Sequence, residues 1–135
     1  MSFPECMRTD SQLGNFAKRF WSVWKPAVTA ANNDNLAKNR KIVAVHGFFN
    51  RIEILEADFQ SRQWPTVLAP RVVLIRRALS QAMRGARIYN QGLNQDSNAL
   101  LSDGALLLNG AMRFIERFDR MTDRRTSFKL CAEAD

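Results

Sequence analysis

The sequence has little of what metal and nucleophilic chemistry need. Its one histidine is His46, and its two cysteines, Cys6 and Cys131, stand near opposite ends with no CxxC pair. Zinc-ligand spacing is therefore absent, as are the Glu-x-x-His pairs from which helical di-metal centres are built. No glycine-rich phosphate loop and no serine or cysteine nucleophile motif occurs. No apolar run approaches the roughly 18 residues that a membrane span requires. The opening residues carry Pro4, Glu5 and Arg8 instead of a basic stretch followed by an apolar one, which argues against a signal peptide. Together these absences predict a cytoplasmic protein with reduced cysteines, a disulfide between the two ends being the alternative, and with no cofactor, no metal and no stable membrane insertion. Period-two alternation of β-branched residues is also missing, so no strand is expected.

What is present is helical periodicity. Four apolar stretches at three-and-four spacing are separated by the few breaker clusters, and they predict helices over about 10–31, 34–62, 70–91 and 98–123. The first sets Leu13, Phe16, Phe20, Val23 and Ala27 on one face and should kink or restart at Pro26. In the second, which opens after the cap types Asn32, Asn33 and Asp34, the stripe is Ile42, Val45, Phe49, Ile52 and Phe59, widened by Phe48 and Leu55. Pro65 and Pro70 mark a corner; the third helix then carries Val72, Ile75, Leu79, Ala82, Ala86 and Tyr89 and ends near Gly92. A cap at Ser97 or Ser102 opens the fourth, whose stripe is Leu107, Ala111, Phe114, Phe118 and Met121. Short connections between amphipathic helices predict an all-α, up-down-up-down four-helix bundle over 10–123. A flexible N-terminus at 1–9 and a fraying tail at 124–135 should flank it.

Small residues refine that picture. Ala78, Ala82 and Gly85 line one edge of the third helix, and Gly104, Ala105 and Gly110 interrupt the fourth, where a close backbone approach would account for them. Val73, Leu74 and Ile88 lie off the main stripe of the third helix and suggest a second buried face, in a widened core or in a homo-oligomer formed through helix three.

Charge is the other positive signal. The formal net charge is +7, and 15 of the 20 basic residues are arginine. The planar guanidinium fork suits phosphate and carboxylate. No acidic residue occurs between Asp58 and Asp96, while Arg71, Arg76, Arg77, Arg84 and Arg87 fall in that gap. At 100° per residue Arg76, Arg77, Ser80, Arg84 and Arg87 share one face and span about 16 Å. On the fourth helix Arg113, Arg117, Arg120 and Arg124 form a second ladder, expected to be neutralised by Glu116, Asp119 and Asp123.

These features point to a non-catalytic protein that binds RNA or DNA through phosphate contacts of Arg71, Arg76, Arg77, Arg84 and Arg87. A different class of function is an adaptor, inhibitor or chaperone that docks an acidic protein on the same face. The third is a small enzyme for an anionic substrate, with Arg76, Arg84, Glu56 and His46 as its groups. His46 shares a polar shoulder with Asn50 and Glu53, and Glu56, at the edge of the second stripe, is expected to pair with an arginine of the third helix. Phe16, Phe20, Trp21 and Trp24, interleaved with Lys18, Arg19 and Lys25, fit the core better than a membrane surface, except for Trp21 at the stripe's edge.

Overall fold

In a computed structural model the protein is all-helical, with residues 1–121 and 124–133 described. The helices are α1 (Phe3–Ala31), α2 (Lys38–Gln60), α3 (Ala69–Gln95), α4 (Asn98–Arg120) and α5 (Arg124–Ala132), with a 3-10 turn at Thr66–Leu68 leading into α3. None of the described helices is long and apolar enough to cross a membrane.

Both ends are more ordered than the sequence pattern predicts. Residues 1–9 are not a flexible leader: α1 starts at Phe3, because Ser2 and Glu5 form a capping box. The Ser2 hydroxyl accepts from the Glu5 amide at 3.3 Å and the Glu5 carboxylate accepts from the Ser2 amide at 3.2 Å, with Pro4 in the first turn. The C-terminal tail is likewise helix, folded back on α1, where Cys131 forms a disulfide with Cys6 across 125 residues. The expectation of reduced thiols is thereby corrected. Phe3 and Phe128 meet edge to face at 5.0 Å beside the bond.

The inner boundaries also move. α1 continues through Pro26 without restarting. α2 begins at Lys38, after Ala37, because Asn33 forms a local turn by accepting from the Asn35 amide at 3.0 Å. α3 runs past Gly92 to Gln95 and closes on Asp96 in the left-handed conformation, φ 51°. α4 takes Ser97 as its cap, the hydroxyl accepting from the Leu100 amide at 3.2 Å.

Most predicted stripes form the core, with small rotations. Leu13, Phe16, Phe20, Val45, Ile52, Phe59, Val72, Ile75, Leu79, Ala82, Ala111 and Phe118 are buried, while α2 turns further towards Phe48 and Leu55, leaving Ile42 and Phe49 half-buried. Leu74 is buried and Val73 packs against the core, whereas Ile88 is half-buried and lies outside that cluster.

α3 and α4 lie closest, in antiparallel register, and glycine sets the spacing. A methyl group built at Gly104 would stand 2.6 Å from the Tyr89 backbone nitrogen, and one at Gly92 would stand 2.7 Å from that of Leu101. Neither backbone can move without separating the helices. Gly104→Ala should therefore lose about 1–3 kcal/mol in urea unfolding despite alanine's better helix propensity. At Gly14 nothing lies within 4 Å of the added methyl, so Gly14→Ala should stabilise by up to about 1 kcal/mol. Equal effects at the two sites would contradict the close approach.

Candidate functional site

The sequence places five arginines of α3 on a binding surface, and the structure divides them. Arg71 is 1% exposed and belongs to the core. Its Nε donates to Asp10 of α1 at 2.6 Å and its Nη1 donates to the Met121 carbonyl at 2.6 Å, while the guanidinium lies 4.2 Å from the ring centre of Phe118. This cation therefore serves the junction of α1, α3 and the C-terminal end of α4, where the helix dipole favours positive charge. It is unavailable to a partner.

Arg76, Arg77, Arg84 and Arg87 are exposed. Among the described residues, none of the four has a carboxylate oxygen within 4.0 Å. Asp58, the last carboxylate before the acid-free stretch, is engaged by Arg19 at 2.8 Å and Arg62 at 3.3 Å. Hydrogen bonding from Arg19, then from Arg62, holds the Asp58 carboxyl below its ordinary value. Glu56 does not form the expected pair with α3 either: its Oε1 accepts from Gln60 at 3.2 Å, and its buried Oε2 has no hydrogen-bond partner among the described residues.

Two of these guanidinium groups lie over aromatic rings of α2. Arg76 lies 5.9 Å from the ring centre of Phe59 and Arg87 lies 5.6 Å from that of Phe49. Such seating leaves a guanidinium charged and orders it without neutralising it. Towards α4, Arg76, Arg77 and Arg84 share a shallow groove with Ser80, Gln81 and Phe114. Gln81 fixes that side by donating to the Leu107 carbonyl at 3.0 Å.

Phe114 links this groove to the second arginine ladder, because Arg113 and Arg117 are its neighbour and its i+3 companion on α4. Arg113, Arg117 and Arg120 are exposed and line a depression with Glu116. The expected pairing of Glu116 with Arg113 and Arg120 does not form: no oxygen–nitrogen distance between them reaches 4.0 Å. Exposed pairs of this kind gain little over solvation, so their side chains extend into water. Asp123 and the Arg124 side chain lie outside the described residues.

The remaining candidates are dispersed. His46 is exposed and opens on an α2–α3 groove with Phe49, Arg87 and Asn90, whereas Glu53 faces solvent. His46 lines a different groove from Arg76, Arg77 and Arg84, and Glu56 lines neither of the two. Among the described residues no three of histidine, cysteine, aspartate and glutamate converge as metal ligands would. Of the α1 aromatics, Phe16, Phe20 and Trp24 are in the core, and Trp21 is half-buried with its indole N–H donating to Asp119 at 2.8 Å. Comparison with known proteins adds no name to this arrangement, since no protein family, curated protein or solved structure matches the chain.

Proposed function

We propose that the protein is a non-catalytic nucleic-acid-binding protein that engages the phosphate backbone with Arg76, Arg77, Arg84 and Arg87 of α3, flanked by Arg113 and Arg117 of α4. The observation that carries this reading is the row of four exposed α3 guanidinium groups with no carboxylate within 4.0 Å among the described residues. A free row of about 16 Å follows several phosphates in succession. Contacts of this type position a backbone without reading base edges, so weak sequence preference belongs to the proposal. The scaffold is proposed to be an up-down-up-down bundle of α1 to α4 with α5 strapped to α1.

Binding is tested by mobility shift with mixed-sequence single- and double-stranded probes at about 50 mM salt. Four phosphate contacts should weaken affinity roughly 100-fold between 50 and 200 mM salt. Arg76→Glu, Arg77→Glu, Arg84→Glu and Arg87→Glu in one chain should abolish the shift and leave the helical circular-dichroism signal intact. No shift by the wild type at low salt would end the proposal. Stoichiometric capture of one acidic protein, with nucleic acid left unbound, would replace it by a protein-docking function of the same face.

A further inference from the structure

On the flank of α3 away from Arg87, a pocket of about 180 Å³ opens between α1, α2, α3 and α4. Its wall is made by Trp24, Val45, Phe48 and Leu108, and the room inside it exists because Ala27 and Ala105 stand where larger side chains would fill it. Packed interiors leave few voids of this size, and apolar ones of about 150 Å³ accept a benzene-sized molecule.

Two properties of the lining narrow the occupant. None of the lining side chains is charged, in a chain with 33 charged ones, so an ionic ligand would lose its hydration without gaining a partner. At the same time, the half-buried Tyr89 and the exposed Asn32 and Asn109 are among the lining residues and bring polar groups to the pocket's edge. An apolar wall with a few polar residues at its edge is the general form of a small-molecule site.

We propose that this pocket binds one small neutral molecule with a ring-sized apolar body and a hydrogen-bonding group at one end. The site is independent of the arginine face and of the nucleic-acid proposal. Burial already holds the Tyr89 phenol above its ordinary value of 10.0, and Tyr89 is the one tyrosine of the chain, so its ionisation can be followed by absorbance without ambiguity.

Phenol and indole serve as probes, titrated into the wild-type protein by calorimetry. Saturable one-to-one binding is expected, with chemical-shift changes centred on Val28, Val45, Ala105 and Leu108 and a further upward move of Tyr89 ionisation. Filling the space by Ala105→Phe or Ala27→Leu should weaken binding roughly tenfold or more, about 1.4 kcal/mol or above, in whichever variant retains a cooperative melt. Absence of saturable binding at millimolar probe, shifts centred elsewhere, or wild-type affinity in a folded filled variant would each overturn the proposal. If neither variant folds, the shift map of the wild type decides.

Discussion

Replacing Arg71 by alanine is expected to destabilise the protein by about 3–5 kcal/mol, measured as a lower urea midpoint with little change in slope. Folded domains are typically stable by only about 5–15 kcal/mol, so this one truncation should remove a large fraction of the total. The size follows from what would be left behind. Arg71 is 1% exposed and Asp10 7%. Without the guanidinium, the Asp10 carboxylate keeps its burial and loses its donor, the Met121 carbonyl loses its donor, and Phe118 faces a cavity. Asp10→Asn should cost less, because the amide is neutral and can still accept from Nε. The double variant Asp10→Leu with Arg71→Met is the decisive comparison. It removes both charges together and replaces them by apolar volume, so it should recover most of the stability lost in Arg71→Ala. A double variant as unstable as the single one would show that shape, rather than uncompensated charge, sets the loss. By contrast, Arg19 and Asp58 are 43% and 33% exposed, and the same experiment there should register a much smaller loss, because solvent screens the pair.

That pair also shows where sequence reasoning stopped short. Arg71 lies four residues before Ile75 and seven before Ala78, so it falls on the buried stripe of α3; Asp10 lies three residues before Leu13 and seven before Ala17, on the buried stripe of α1. Two opposite charges on two core faces were legible as a buried pair, but the lack of acidic residues around Arg71 drew it into the surface group. The other four α3 arginines were assigned to the right face by periodicity alone, since an exposed helix face depends only on local geometry. Close approach at Gly85 and Gly104 was legible for a similar reason: small residues recurred on facing edges. The pairing of Glu116 with its arginine neighbours was over-read, because sequence spacing gives proximity but not the balance between ion pairing and hydration. The Ser2-x-x-Glu5 pattern was present and would have placed the start of α1. The terminal disulfide had no such sign, as it depends on α5 folding back across the whole chain.

The Cys6–Cys131 bond carries the other large expected effect. It closes a loop of 125 residues in the unfolded chain, and the entropy of a loop of that length corresponds to about 4–5 kcal/mol, with native disulfides commonly giving about 2–5. Reduction, or Cys6→Ser with Cys131→Ser, should therefore lower the midpoint of unfolding by an amount comparable to Arg71→Ala. Thiol titration of the untreated native protein should find no free cysteine, and titration after reduction should find two. The loss should not be uniform. α5 is tied to the first turns of α1 by this bond and by the Phe3–Phe128 contact. Its amides should lose hydrogen-exchange protection on reduction at temperatures where α3 and α4, packed along their length, keep theirs. Nucleic-acid binding by the α3 arginines should then survive reduction below the melting range, because the scaffold that aligns them does not require α5. Parallel loss of protection in all helices would instead mean that the strap and the bundle unfold as one unit.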